Sequence, residues 1–288
     1  LIGPPGVGKT RLALEAAHRL APTVSGGAVF VELTALATAA HVAGAIAKSL
    51  AIVLSATIPA ERGLIAHIGT SHCLIVLDNF EHVLDAAPFV ADLIANCPNA
   101  LCLVTSRERL RLRAEQLLPV LPLRLPDSDA PGDIARAPAA RLFAARAQAV
   151  DPTFAIDESN AADVADLCRR LDGLPLAIEL IAAQAETLTP GEMRSQMAAR
   201  LPALVDGPRD LPARQRTLRA AIGWSVDRLS AWERHVFSRL GVFSGGASLD
   251  GLRFVLAVHE GVAPEIDSEA LDDALDVLVE ASIIYRGG

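Results

Sequence analysis

Lysine is nearly absent from this sequence. Of the 26 basic residues in the 288-residue chain, only Lys9 and Lys48 are lysines, and the arginines are scattered without forming a basic block. Acidic residues number 34, so the formal net charge is −8 at pH 7. A surface that binds nucleic acid generally needs clustered positive charge. The composition therefore argues against nucleic-acid binding as the main role of this segment.

Long hydrophobic runs, cysteine pairs and histidine clusters are also missing. No run of 18 apolar residues and no signal-peptide pattern occurs, so we expect a cytoplasmic chain that does not span a membrane. The four cysteines form no C-x-x-C pair and no zinc-ligand spacing, and they lie among apolar residues. This pattern predicts buried, reduced thiols. The seven histidines show neither an H-x-x-x-H motif nor a Ser/His/Asp arrangement.

The sequence does have a glycine-rich opening, LIGPPGVGKT, which contains the motif G-x-x-x-x-G-K-T. Gly3, Gly6 and Gly8 allow backbone N–H groups to turn inward around phosphate oxygens without a Cβ clash. The ammonium group of Lys9 is expected to reach the β- and γ-phosphates, and the hydroxyl of Thr10 is expected to ligate Mg²⁺. This pattern predicts a phosphate-binding loop.

A helix is predicted directly behind this loop. Residues 11–20 are rich in helix formers and contain neither glycine nor proline. The positive N-terminal end of such a helix would face a bound anion. The predicted nucleotide-contacting segment is Gly3, Pro4, Pro5, Gly6, Val7, Gly8, Lys9, Thr10 and Arg11.

Strands alternate with helices through the next hundred residues. Apolar runs predict strands at 27–33, 73–78, 100–105 and 116–121, and helical patterns lie at about 39–50, 59–68 and 88–96. Such alternation predicts a parallel α/β sheet with its ligand at the carboxyl ends of the strands. The strand at 116–121 contains Pro119, which suits a sheet edge.

Charged side chains stand where these strands end. Asp78 closes a buried apolar run and is predicted to hold Mg²⁺, directly or through water. Glu81 is a candidate for orienting or deprotonating the attacking water, although a capping or solvated glutamate fits equally well. Arg107 follows the next strand and is a candidate sensor of a γ-phosphate. It also belongs to a run of four alternating arginines that could simply be a solvated surface.

The second half reads as helical. A charged, proline-rich linker is predicted at 122–138, with helices at 139–150 and 160–172, one beginning at Pro175, and one behind a capping box at 189–192. After a second linker at 207–212, we expect a helix through Leu218, Ile222, Ser225 and Leu229, a capping box at 230–233, helices near 249–259 and 268–280, and a strand from Ser282. The expected domains are therefore a P-loop domain at 1–124, a helical domain at 125–206 and a winged-helix-like domain at 207–288.

Five motifs occur in order across the chain: GPPGVGKTRLA at 3–13, LIVLDNFEH at 74–82, TSRE at 105–108, RLDGLPLAIE at 170–179 and RQRTLRAAIGWS at 214–225. Together they resemble the NB-ARC-like STAND ATPases of bacterial LuxR-type and SARP-type multidomain transcriptional regulators. The resemblance implies an ATP/ADP-dependent switch in which nucleotide lies between the first two domains and is covered by the third.

The resemblance also implies roles for single residues. Pro175, with Leu176 beside it, would lie against the base, and Arg107 matches the sensor arginine. Asn79 follows the metal-binding acid, which suggests slow hydrolysis. We further expect self-association in the ATP state and DNA contact through a domain outside this chain. Only Leu1 and Ile2 precede the loop, so we expect the sequence to be part of a longer protein.

Two other classes of function remain open. A kinase or other soluble P-loop enzyme would need an acceptor-substrate site, for which no second constellation is visible. A winged-helix DNA-binding module without ATPase activity is the other alternative, and the acidic balance counts against it. A GTPase is disfavoured because the chain lacks the Asn/Thr-Lys-x-Asp motif that selects guanine.

Overall fold

The computed structural model describes the backbone of residues 1–36, 38–128, 130–204, 222–223, 226–227, 229–243, 246–259, 268–281 and 283–284. The chain divides into two compact units, Leu1–Leu121 and Pro122–Gly288. Within these described ranges, no helix combines the length and the apolar character needed to cross a lipid bilayer.

A parallel sheet forms the centre of the first unit. Its strands are β1 (Ala28–Glu32), β2 (Leu74–Asp78) and β3 (Leu101–Val104), in the spatial order β1-β2-β3. All five residues of β2 are buried, because helices cover both faces of a parallel sheet. The register places Glu32 opposite Asp78 and Leu77 opposite Val104, so the carboxyl ends of the strands lie along one edge.

The first residues of the chain extend this sheet beyond β3. Ile2 forms parallel bridges to Ser106 on one side and to Pro119 on the other. The amide of Ile2 donates to the carbonyl of Leu118 over 3.0 Å, and the amide of Val120 donates to the carbonyl of Ile2 over 2.8 Å. The predicted length of the strand at 116–121 is therefore wrong. The strand is reduced to a bridge at Pro119, which lacks the N–H that a regular ladder needs.

Helices cover the two faces of the sheet. They are α1 (Lys9–Leu20), α2 (Val42–Ser49), α3 (Ala60–Ile68) and α4 (Ala87–Asn96), and each was predicted near these bounds. Alternate residues of β2 belong to different core clusters: Leu74 and Val76 pack with α1, whereas Ile75 and Leu77 pack with the cluster that includes α2, α3 and α4. This alternation follows from the two-residue period of a strand. The predicted α/β fold class, a parallel sheet followed by a helical region, is confirmed.

The second unit begins with a run of helices. They are α5 (Pro131–Arg136), α6 (Pro138–Val150), α7 (Ala161–Arg170), α8 (Pro175–Ala182) and α9 (Pro190–Leu204). Large, fully buried side chains of this part include Ile134, Phe143, Leu167, Leu171 and Leu174. In front of α9, Thr189 and Glu192 form the predicted capping box, with the Thr189 amide 2.8 Å from the Glu192 carboxylate.

The linker predicted at 122–138 is wrong in part, because it contains α5. Proline is compatible with the first turn of a helix, where its missing N–H has no intrahelical partner. Pro131 takes that place, and Ile134 is fully buried. The hydroxyl of Ser128 donates to Asp133 over 2.8 Å and so ties the start of the helix to the preceding turn.

The last described helices are α10 (Ala231–Leu240), α11 (Leu249–His259) and α12 (Ser268–Glu280), and they share a core that includes Val236, Leu256 and Leu271. The capping box predicted at the start of α10 is present, since the Ser230 hydroxyl accepts from Glu233 and the Glu233 side chain accepts in return. Several predicted features lie outside the described residues: the linker at 207–212, Leu218 and Ser225 of the predicted helix, and Ser282 with residues 285–288 of the predicted strand.

Candidate nucleotide site

The glycine-rich loop connects Ile2 to α1 and bends sharply before the helix begins. Gly8 stands directly in front of α1 with φ 94°, a left-handed conformation that residues with a Cβ rarely adopt. Gly3 has a different constraint, because a Cβ at this position would lie 2.8 Å from the carbonyl oxygen of Val120. The helix begins without a side-chain cap. Its first amides are therefore available to an anion.

Lys9 is the first residue of α1, and its side chain folds back over the loop. Its ammonium group donates to the carbonyl oxygens of Gly3 over 2.9 Å and Pro4 over 3.1 Å. Burial is the largest influence on this group and lowers the pKa of Lys9, and nearby Arg107 lowers it further, while Glu81 and Asp78 oppose the shift. The loop thus holds a desolvated cation whose acceptors, among the described residues, are neutral carbonyls.

Asp78, the last residue of β2, faces α1. It has the same strand parity as Leu74 and Val76, which pack on that side. The hydroxyl of Thr10 lies 2.9 Å from Asp78 Oδ1 and 3.0 Å from Oδ2. Only 2% of Asp78 is exposed. The sequence predicted this pair, and the structure brings the two side chains together.

The oxygen atoms of Thr10 and Asp78 fit a magnesium ion. Mg²⁺ is commonly bound by one or two protein oxygens, with phosphate oxygens and water filling the other positions. A cage of several carboxylates is therefore not needed. The described residues contain no group of three or more His, Cys, Asp or Glu side chains that could hold a metal ion.

Behind Asp78 lies a hydrogen-bonded network that sequence reasoning missed. The hydroxyl of fully buried Thr105 lies 2.5 Å from Asp78 Oδ1, and the backbone N–H of Asn79 donates to the same hydroxyl over 3.0 Å. The side-chain amide of Asn79 donates to Thr34 over 2.8 Å and to Asp78 Oδ2 over 3.2 Å. Asn79 reaches both partners from a left-handed backbone conformation, with φ 60°. These polar groups come from the ends of β1, β2 and β3.

Glu81 and Arg107 form an ion pair next to this network. Arg107 Nε lies 2.9 Å from Glu81 Oε1, and the backbone N–H of Arg107 donates to Glu81 Oε2 over 3.2 Å. The Glu81 side chain is 9% exposed, whereas that of Arg107 is 53% exposed. The two candidate residues therefore bind each other, and the guanidinium group keeps a solvent-facing side.

The remaining candidate residues have different surroundings. Val7 is buried, whereas Arg11 is exposed on the first turn of α1. Pro175 and Leu176 are partly exposed at the start of α8 in the second unit. Their assignment to the base stays a prediction, as do the catalytic and binding roles of the other residues.

Sequence comparison relates the first part of the chain to a known family. Residues 1–95 match the model of the ATPase family associated with various cellular activities, AAA. A protein of Mycobacterium tuberculosis (strain H37Rv), provisionally named an HTH-type transcriptional regulator, is 36% identical over 285 residues, which is 99% of this chain and 30% of that protein. An uncharacterized protein of the same strain is 35% identical over 261 residues, or 90% of this chain and 64% of that protein.

The chain thus spans less than a third of the first relative and less than two thirds of the second. Among solved structures, the Cdc6p protein of Pyrobaculum aerophilum covers 98% of this chain, with 14% identity and a TM-score of 0.43. The Aeropyrum pernix ORC2 protein, in ADPNP–ADP complexes, covers 99% with 14% identity and a TM-score of 0.40. The chain covers 79% of each of these two proteins. By sequence, the N-terminal part of this chain is similar to the P-loop ATPase domains of the AAA family.

Proposed function

We propose that this chain is the ATP/ADP-dependent switch module of a longer bacterial signalling or transcriptional regulator, of the STAND type that its motifs resemble. The observation that carries this proposal is the ion pair between Glu81 and Arg107 beside the phosphate loop. ATP and ADP differ by one phosphoryl group, so only residues that sense this group can favour different conformations. Arg107 is suited to that task, because its present partner, the Glu81 carboxylate, carries less negative charge than a γ-phosphate.

The phosphate loop supplies general affinity for either nucleotide. Lys9 now donates to two neutral carbonyls, and a phosphate oxygen is a stronger acceptor for an ammonium group because the hydrogen bond becomes charge-assisted. The uncapped amides at the start of α1 add favourable electrostatics for an anion. These groups do not distinguish ATP from ADP in our proposal.

Thr10 and Asp78 would hold Mg²⁺ together with the phosphates, and the bound ion would neutralise part of the phosphate charge. The protein's own contribution is orientation, because Thr10 is fixed by the first turn of α1 and Asp78 by the end of β2. Both side chains are partly or fully screened from water. Their geometry is therefore set before nucleotide arrives.

Arg107 is proposed to exchange partners when ATP binds. In the described structure it pairs with Glu81, and its guanidinium group is half exposed. A γ-phosphate carries more negative charge than one carboxylate, so it would compete for Arg107. Glu81 would then be released to orient or deprotonate water. ADP offers no such competitor and would leave the pair intact.

The wider roles rest on sequence resemblance. We propose slow hydrolysis, because Asn79 follows Asp78 where many P-loop ATPases have a second acid. We also propose base contact by Pro175 and Leu176, self-association in the ATP state and DNA contact through another part of the longer protein. The provisional name of one of the two mycobacterial relatives supports a regulator as the context. Phosphate release with ATP alone would separate this switch from a kinase, which needs a co-substrate.

Arg107→Ala tests the proposal. Removing this cation should weaken the affinity for a non-hydrolysable ATP analogue by about tenfold or more, since hydrogen bonds to charged groups contribute about 1.5–3 kcal/mol. The affinity for ADP should change little, because ADP lacks the sensed group. Isothermal titration calorimetry with each nucleotide and Mg²⁺ measures both values.

Arg109→Ala is the matched control, since Arg109 is exposed in the same loop. It should leave both affinities unchanged, and Lys9→Ala should abolish binding of both nucleotides. An equal loss of ADP and analogue affinity in Arg107→Ala would contradict a sensor role. Unchanged binding in Lys9→Ala would overturn the nucleotide site itself.

A further inference from the structure

The hydroxyl group of Thr105 joins two neighbouring parts of the site. Thr105 follows β3 directly and has no exposed surface. Its Oγ1 lies 2.5 Å from Asp78 Oδ1 and 3.0 Å from the backbone nitrogen of Asn79. The backbone N–H of Thr105 in turn donates to the carbonyl of Leu77 over 2.9 Å. Thr105 is therefore held on β2 by both its main chain and its side chain.

The direction of each hydrogen bond follows from the chemistry of the partners. The backbone N–H of Asn79 can only donate, so the Thr105 oxygen must accept there. An ionised carboxylate can only accept, so the single hydroxyl proton of Thr105 goes to Asp78. Both functions of the hydroxyl are satisfied at the same time, and it has no freedom to rotate to another partner without losing one of them.

Strand parity explains why the side chains of Thr105 and Asp78 meet on the same side of the sheet. Leu103 packs on the α1 side of the sheet, and Thr105 is two residues further along. Asp78 faces the same side at the end of the adjacent strand. Thr105 therefore contacts Oδ1 from the end of the neighbouring strand, while Thr10 contacts both carboxylate oxygens from α1.

We infer that Thr105 is a positioning residue, whose hydroxyl fixes the orientation of the Asp78 carboxylate for Mg²⁺–nucleotide binding. This inference rests on the proposed function. A buried carboxylate that loses one of its donors reorients toward the remaining ones, because an unpaired buried acceptor is costly. Here the remaining donors are Thr10 and the side chain of Asn79, so the carboxylate would turn away from its present position.

Thr105→Val and Thr105→Ser separate the hydroxyl from the packing of the side chain. Valine keeps the shape and loses the hydroxyl, whereas serine keeps the hydroxyl and loses a methyl group. The measurement is the Kd for a non-hydrolysable ATP analogue, in Mg²⁺ and in EDTA. Partners that orient a metal ligand typically change metal affinity by 10- to 100-fold. The Mg²⁺ gain is the ratio of the Kd in EDTA to the Kd in Mg²⁺. We expect this gain to be about tenfold smaller in Thr105→Val than in the wild type, and the Kd of the variant in EDTA to be unchanged.

Thr105→Ser should retain most of the Mg²⁺ gain. Ser106→Ala is a matched control, because Ser106 is also buried but its hydroxyl accepts from the Glu108 amide over 3.1 Å and not from the Asp78–Asn79 segment. It should keep the full gain. Thermal melting in EDTA without nucleotide reports whether each variant is folded.

The outcomes distinguish this inference from the proposed function. If the wild-type chain binds no nucleotide, the proposed function fails and this inference fails with it. If the wild type shows a Mg²⁺ gain and folded Thr105→Val keeps it, only the role of Thr105 is overturned. A loss of affinity that is equal in Mg²⁺ and EDTA also overturns it, because that result indicates general distortion. If Thr105→Val does not fold, Thr105→Ser decides: retention of the gain supports the role of the hydroxyl, and its loss contradicts it.

Discussion

Two glycines with positive φ stand just before helices, one in each unit of the molecule. Gly8 precedes α1 with φ 94°, and Gly173 stands two residues before α8 with φ 64°. Their surroundings differ. A Cβ at Gly8 would meet nothing within 4 Å, whereas a Cβ at Gly173 would lie 2.3 Å from the carbonyl oxygen of Leu123.

Gly8 therefore shapes the loop in front of α1, whereas Gly173 allows close packing of the backbone. The carbonyl of Gly173 accepts from the amide of Leu123 over 2.9 Å, so this position holds the start of the second unit against the turn between α7 and α8. The space at Gly8 is open, and its backbone conformation serves the loop rather than the core. Both glycines belong to motifs that resemblance assigns to nucleotide binding, yet of the two only Gly8 has open space where a Cβ would lie.

Gly173→Ala should have the largest effect on stability. The added methyl group would collide with the Leu123 backbone, which cannot move as a side chain can, and alanine is strained at φ 64°. Strain of this kind costs on the order of 1–3 kcal/mol, and overpacking adds about 1–3 kcal/mol. We expect the free energy of unfolding to fall by about 3 kcal/mol or more, measured by urea denaturation.

Gly132→Ala is the control for this change. Gly132 lies in the first turn of α5 with open space around its Cβ position and no positive φ. Alanine there should be neutral or stabilising by about 1 kcal/mol, because it favours the helix more than glycine does. A similar loss of stability in both variants would show that the Leu123 contact is not what makes Gly173 necessary.

Gly8→Ala should have a smaller effect on stability and a larger effect on binding. No atom opposes the new methyl group, so only backbone strain of about 1–3 kcal/mol acts against the folded state. Relief of that strain would redirect the amides of the loop. We expect a folded variant whose affinity for both ADP and an ATP analogue falls at least about tenfold, since losing one charge-assisted hydrogen bond costs about 1.5–3 kcal/mol. Unchanged affinity would mean that the conformation of Gly8 does not shape the phosphate site.

Features that depend on adjacent residues were predictable from the sequence. The loop at 3–10 and α1 behind it follow from local glycine placement and helix propensity. The buried run that ends at Asp78 predicted both β2 and the carboxylate near Thr10. Both capping boxes were also predicted, because the serine or threonine and the glutamate are three residues apart.

Features that depend on strand order were not predictable in the same way. Thr105 and Thr34 approach the Asp78–Asn79 segment only because β1, β2 and β3 are neighbours in the sheet. Nothing local to Thr105 marks it as a partner of a carboxylate 27 residues earlier. The available signal was a hydroxyl residue directly after an apolar run, the one predicted to form the strand that follows Asp78 along the chain.

The pairing of Glu81 with Arg107 was missed for the same reason. Each residue was singled out as a separate candidate, and their ion pair depends on the adjacent ends of two strands. The helix at 131–136 was missed for a different reason. Its proline and glycine indicated a linker, and the buried Ile134 that favours a packed helix is a single residue in a short segment.

The ratio of the affinities for a non-hydrolysable ATP analogue and for ADP in Glu81→Gln tests the central claim most directly. Glutamine can still accept the backbone N–H of Arg107 but no longer holds its guanidinium group by charge. Because Arg107 is half exposed, this pair contributes about 1 kcal/mol or less. We predict that the ratio shifts toward the ATP analogue by about three- to fivefold, whereas Glu108→Gln leaves it unchanged. An unchanged ratio, or a shift toward ADP, would contradict the exchange of Arg107 between Glu81 and the γ-phosphate.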